Sequence, residues 1–167
     1  MATSSRLFVA VWSPPAFAEQ LAFLPRPEQR GVRWVPPENW HVTLRFLGEA
    51  DPADVGGRLD GATLSPATAT LGPVVQRLGR GLVVVPVAGL DLLAAAVADV
   101  TSDIGQPIGD RGFRGHVTLA RFRPSAQCPL AGTPIYATAA IDEIVLAQSL
   151  LSPSGARYEP VGRWPTG

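Results

Sequence analysis

The apolar residues of this chain fall into short runs rich in aromatic and β-branched residues and broken by turn residues, as strands are. Residues 6–12 (Arg-Leu-Phe-Val-Ala-Val-Trp) form the first, stopped by Ser13-Pro14-Pro15. Ser13 is placed to cap a helix with proline in its first turn, whose inner face is Phe17, Leu21 and Leu24 and whose end is Pro25. Residues 32–35 read as a short strand and residues 40–48 as a strong one. Asp51-Pro52 opens a second helix, with Val55 and Leu59 inward. Residues 67–78 and 81–87 read as two strands joined by a Gly79-Arg80 turn. The longest helical pattern covers 90–104, with Leu93, Val97 and Val100 on one face. A Gly-rich loop at 107–114, a strand at 115–122, a loop at 124–134 and strands at 141–151 and 157–164 complete the chain. Strands and helices are mixed, and the connections are too short for many parallel crossovers, so the pattern predicts an α+β fold with antiparallel sheets.

One motif, opening on the tetrapeptide His-Val-Thr-Leu, repeats within this frame. His41-Val42-Thr43-Leu44-Arg45-Phe46 returns as His116-Val117-Thr118-Leu119-Ala120-Arg121-Phe122, each time on an expected strand. The two halves therefore read as two versions of one lobe, and the expected organisation is a single two-lobed domain over 1–167. Alternation puts His41 and Thr43 on one strand face, with Val42, Leu44 and Phe46 on the other. His116 and Thr118 repeat this. These are the only two histidines of the chain, and chance does not readily place both in the same tetrapeptide.

Two imidazoles and two hydroxyls facing one another suit phosphodiester chemistry. Histidine titrates near pH 6.5, so one ring can accept a proton from an attacking water while the other gives one to the leaving oxygen. Threonine hydroxyls can donate to non-bridging phosphate oxygens, where transition-state charge sits. Alternation puts Arg45 on the face of His41 and Thr43, within reach of a phosphate. The same count puts Arg121 on the face opposite His116, unless the strand bends.

Composition narrows the reading. Formal net charge is zero and the isoelectric point about 6.7, which argues against a broad nucleic-acid coat but not against a small phosphate site. All fourteen basic residues are arginine, a usage that a GC-rich genome explains better than selection for phosphate binding. Cys128 is single and fits a reducing cytoplasm. No apolar run reaches the roughly 18 residues of a membrane span, and the first residues read as a strand rather than a signal peptide. Two histidines without a third ligand, and no HExxH, Asp-rich or Cys-rich motif, leave a metal site poorly supported. No GxSxG, P-loop or dinucleotide fingerprint is present.

The paired His-x-Thr-Leu motifs resemble those of the two-histidine phosphoesterase superfamily, and within it the RNA 2',3'-cyclic phosphodiesterases, also called 2'-5' RNA ligases. The likeness extends to Arg6-Leu7-Phe8-Val9-Ala10, to Val32-Arg33-Trp34-Val35 through Gly48, and to Ser149, Leu151, Gly155, Ala156 and Tyr158. The resemblance implies a bilobal fold, two antiparallel sheets related by a pseudo-twofold axis with flanking helices and a central groove. It implies hydrolysis of an RNA-terminal 2',3'-cyclic phosphate to a 2'-phosphomonoester, without metal or nucleotide cofactor, and in some members reversible 2'-5' ligation. His41 would be the acid to the ribose 3' oxygen, His116 the base for water, and Arg121 a phosphate ligand. The expected partners are RNA ends carrying 2',3'-cyclic phosphate, or small cyclic nucleotides; no membrane association is expected, and a monomer is. Another cyclic or 2'-5' linked substrate, or an RNA-end binding module with vestigial catalysis, are the alternatives. Two departures stand out: Gly115 where the family often has proline, expected to loosen that strand's entry, and a short segment from Gly72 to Gly81. Phe8, Trp34, Trp40 and Phe46 are the candidate base-stacking aromatics.

Overall fold

The computed structural model describes residues 4–167. In chain order its elements are β1 (Ser5–Trp12), α1 (Pro15–Phe23), β2 (Val32–Trp34), a 3₁₀ turn (Pro37–Asn39), β3 (His41–Ala50), α2 (Pro52–Asp60), β4 (Ala67–Leu71), β5 (Gln76–Leu78), β6 (Leu82–Ala88), α3 (Asp91–Val100), β7 (His116–Phe122), β8 (Ala137–Ile141), β9 (Glu143–Ser152) and β10 (Gly155–Pro165). The strands lie in the order β10-β9-β1-β3-β7-β6-β4-β8, with β2 beside β7 and β5 beside β6. Their pairings are antiparallel, so the fold is α+β as the pattern predicts.

The two halves meet where β3 and β7 touch, at the single pair Val42↔Val117. These are equivalent residues of the two motifs, and an antiparallel pair of equivalents has a local twofold axis between its members. The symmetry extends outward. β1 pairs with β3 as Trp12↔His41, Val11↔Val42, Ala10↔Thr43, Val9↔Arg45 and Phe8↔Phe46. β6 pairs with β7 as Pro86↔His116, Val85↔Val117, Val84↔Thr118, Val83↔Ala120 and Leu82↔Arg121. Residues 8–12 and 82–86 are thus a second internal repeat, carried by position more than by identity: only Val9/Val83 and Val11/Val85 are the same. The helices follow the same rule: α1 leaves β1 and packs near β8 in the other half, while α3 leaves β6 and packs on β3. One buried apolar cluster, including Leu7, Val42, Val85, Val117 and Leu146, runs through both halves.

Both registers skip one residue at the same place. Leu44 has no partner between Ala10↔Thr43 and Val9↔Arg45, and Leu119 has none between Val84↔Thr118 and Val83↔Ala120. Each is a β-bulge, which reverses the alternation beyond it. Arg45 and Ala120 are accordingly buried, and Phe46 and Arg121 face outward. This corrects two expectations: Arg45 leaves the face of His41, and Phe46 leaves the core.

Other elements depart from the pattern for local reasons. The expected strand at 67–78 is broken, because Pro73 lacks an N–H and Gly72 runs against the Ile135 carbonyl, where a Cβ would lie 2.1 Å away. The expected strand at 141–151 begins at Glu143, and β8 precedes it unpredicted. Residues 137–140 are Ala-Thr-Ala-Ala, with too little apolar contrast to show a period. Ser13 does not cap α1: Pro14 holds the cap position, and the Ser13 hydroxyl is buried without a partner. The helix expected to reach 104 stops at Val100, because the carbonyls of Thr101, Ile104 and Gln106 turn to the Arg45 guanidinium at 3.2, 2.9 and 2.9 Å. A cation collecting carbonyls beyond a helix C-terminus is favourable. No helix of the described residues is long and apolar enough to cross a membrane.

Candidate active site

A groove of about 500 Å³ lies over the axis between the two motifs. His41, Thr43, His116, Thr118 and Arg121 all line it. Arg45 does not: it is 7% exposed and its Nε donates to the Thr101 hydroxyl at 3.2 Å.

The two rings are held alike. His41 Nδ1 lies 2.7 Å from the Asn39 carbonyl, and His116 Nδ1 lies 2.8 Å from the Arg114 carbonyl. A carbonyl can only accept, so Nδ1 carries a proton in both rings and Nε2 is left for the groove. Thr43 Oγ1 is 3.1 Å from His41 Nε2, so the hydroxyl donates to that nitrogen when the ring is neutral.

The surroundings of the two rings differ. Trp12 stacks on His41 with centroids 4.9 Å apart, Phe8 lies at 5.1 Å, and Tyr158 meets it edge-on at 5.3 Å. Burial in this aromatic box lowers the His41 pKa; the hydrogen bond to Asn39 opposes the shift, and the charge of His116 adds to it. The equivalent of Trp12 is Pro86 and of Phe8 is Leu82, so the second half offers His116 no such box. Phe8 and Tyr158 lie on the His41 side of the groove, while Arg33 and Arg121, with Trp34 next to Arg33, come from β2 and β7. These two arginines are directly opposed across β2 and β7. Like charges in that position repel, and an anion between them would relieve the strain.

Several lining residues lay beyond the motif argument. Arg6 lines the groove with its guanidinium 5.0 Å over the Phe46 ring, and Arg33, Ser149 and Tyr158 come from three further strands. Their signal was the wider resemblance around the motifs, not spacing. Of the candidate stacking aromatics, Phe8, Trp34 and Phe46 line the groove, whereas Trp40 is 2% exposed and belongs to the core. Gly115 is not a loose entry: Val87 N–H donates to its carbonyl at 2.9 Å, and a Cβ there would sit 2.5 Å from the Val87 oxygen. Among the described residues no group of three or more His, Cys, Asp or Glu side chains is gathered as for a metal ion.

Comparison with known proteins agrees with this geometry. Residues 12–67 match the model of the LigT-like phosphoesterase family. No curated protein sequence matches the chain. Among solved structures, E. coli LigT bound to 3'-AMP is 28% identical, with a TM-score of 0.79 over 98% of this chain and 99% of that one. A crystal structure described as a phosphoesterase is 27% identical, with a TM-score of 0.79 over 98% and 99%. TT0787 of Thermus thermophilus, 24% identical over 96% and 97% with a TM-score of 0.78, shares the fold. E. coli LigT has also been crystallised with NADP+, with ATP and with phosphate. The first motif thus fits the LigT-like phosphoesterase family model, and the fold is similar to that of E. coli LigT over nearly the whole chain.

Proposed function

We propose that this protein hydrolyses a 2',3'-cyclic phosphate at an RNA end to a 2'-phosphomonoester, with His41 and His116 as the acid–base pair. The observation that carries the reading is the convergence of both His-Thr pairs on one groove, with both Nε2 atoms free of backbone partners. The phosphate sits between the rings. One neutral Nε2 takes a proton from water as its oxygen attacks phosphorus. The P–O3' bond breaks, and the protonated Nε2 of the other ring gives its proton to O3'. Thr43, Thr118 and Arg121 donate to the non-bridging oxygens, where charge gathers. Run in the same direction with a 5'-hydroxyl end in place of water, the same pair would form a 2'-5' linkage and release O3' as a hydroxyl.

In the protein by itself, burial favours neutral His41. The family resemblance makes His41 the acid, so the bound phosphate anion must restore its proton. The binding of 3'-AMP by E. coli LigT supports a nucleotide end as the ligand of the groove.

The test is incubation with a short RNA ending in 2',3'-cyclic phosphate, in the presence of EDTA. Wild type should yield a 2'-phosphate, and His41→Ala and His116→Ala should each lose roughly 10²–10⁴ in rate. Loss of activity on chelation, with recovery on adding zinc, would refute the metal-free mechanism. Tight binding of the cyclic end without turnover would instead make the protein an RNA-end binding module.

A further inference from the structure

Beside the histidine groove lies a second one of about 860 Å³, lined by Arg80, Arg111 and Arg114 among others. The two grooves share Leu82 and Arg121 along their common rim. We propose that this second groove holds backbone phosphates of the same RNA strand whose end enters the first, so that the enzyme is built for oligonucleotides rather than mononucleotides. The inference rests on the RNA-end reading above and names the substrate class within it.

The charge distribution carries the argument. A chain of zero net charge gathers four guanidiniums here and lines the groove with no carboxylate. Asp110, the acidic neighbour of Arg111, is not part of the lining. Ion pairs among the described residues are Arg58–Asp103, Arg157–Glu159 and Arg163–Glu143, all elsewhere. None of the four guanidiniums has a hydrogen-bonded protein partner among the described residues; with Arg121 given to the scissile phosphate, those of Arg80, Arg111 and Arg114 are available to further phosphates. Guanidinium is the side chain best matched to phosphate oxygens.

The scaffold beneath is braced. Arg80 stands on the β5–β6 turn, where Gly79 takes φ +60°. Arg77 ties that turn through its side chain to the Gly79 carbonyl at 2.9 Å and the Arg80 carbonyl at 3.3 Å. Arg114 is anchored on the other side, since its carbonyl holds His116 Nδ1 at 2.8 Å. The rest of the lining is Leu78, Leu82 and three glycines, with no aromatic ring. Such a surface suits a phosphodiester chain and offers no platform for a base. Phe8 and Tyr158 lie on the His41 side of the histidine groove. A cyclic mononucleotide carries one phosphate, which the histidines take, and so has nothing to place here.

The test uses the full chain as wild type, as Arg111→Gln and as Arg80→Gln/Arg111→Gln, all changes at exposed positions. Binding of a labelled RNA pentamer ending in 2'-phosphate is titrated across salt concentration. In parallel, kcat/KM is measured on a pentamer with a 2',3'-cyclic end and on a nucleoside 2',3'-cyclic phosphate. Each arginine lost should weaken pentamer binding roughly tenfold at low salt. The double variant should also flatten the log–log salt slope by about 1.4, at roughly 0.7 per single-strand phosphate. The pentamer-to-mononucleotide ratio of kcat/KM should fall in step. Unchanged pentamer affinity and slope in the double variant would overturn the proposal, as would an equal loss on both substrates. Arginine-dependent pentamer binding with no turnover of either cyclic phosphate would uphold the second groove and overturn the reaction assigned to the first.

Discussion

Arg45 separates the alternation of the sequence from the geometry of the fold, and replacing it by methionine tests which governs. By alternation Arg45 would grip substrate phosphate. In the structure it is 7% exposed and contacts the Thr101 hydroxyl and the carbonyls of Phe46, Thr101, Ile104 and Gln106 at 2.9–3.2 Å. Burial lowers its pKa, and no carboxylate pairs with it among the described residues. Hydrogen bonds to a charged group contribute about 1.5–3 kcal/mol each, and they are not additive where they share one guanidinium. Methionine restores apolar volume but leaves the carbonyls beyond α3 unpaired, at about 1–3 kcal/mol for each that water cannot reach. A net loss of about 3–5 kcal/mol follows, which for a chain of this size lowers Tm by about 6–20 °C. Thermal unfolding by circular dichroism reads the first quantity. Steady-state turnover of a cyclic-phosphate RNA, per folded molecule at low temperature, reads the second and should stay within about tenfold of wild type. Arg121→Met should invert the pattern, with Tm little changed and kcat/KM down roughly a hundredfold. An Arg45→Met protein of unaltered Tm with a hundredfold loss of kcat/KM would refute the bulge argument and restore Arg45 to the phosphate.

Three further outcomes can be checked. The chain has two histidines, so proton NMR can follow each ring: His41 should titrate below about 6.5 in the free protein, and Tyr158→Ala, which opens its aromatic box, should raise it; a midpoint at or above the ordinary value in wild type would contradict the burial argument. Because the folded His41 pKa lies below the unfolded one, the unfolded chain binds more protons in that interval, so Tm should fall as pH drops below about 6.5, with a shallower fall in His41→Gln. Gly115→Ala places a Cβ 2.5 Å from the Val87 oxygen, which should cost about 1–3 kcal/mol and lower kcat more than it raises KM, since His116 is the next residue; an unchanged urea midpoint and kcat would show that the strand entry has room to spare.

The elements that the sequence reveals are those whose side chains contrast. β3 and β7 open with apolar and polar residues in alternation, β1 is a short run of aromatic and β-branched residues, and α2 and α3 carry Val55, Leu59, Leu93 and Val97 at helical spacing. β8 does not, because alanine and threonine give a strand too little contrast to be read. The paired histidines and threonines were likewise legible, since a repeated motif on two strands announces its own symmetry. The second repeat, Phe8–Trp12 with Leu82–Pro86, is identical only at two buried valines, Val9/Val83 and Val11/Val85, and the strand register discloses it.

What the sequence alone determined was therefore the chemistry: which side chains are available, on which kind of element, and in two copies. What tertiary structure decided was direction. Two bulges, invisible in a list of residues because each arises from how neighbouring strands pair, turn Arg45 inward to close α3 and turn Phe46 and Arg121 outward to the groove. Alternation is a property of one strand, whereas the face a side chain reaches is a property of the pair.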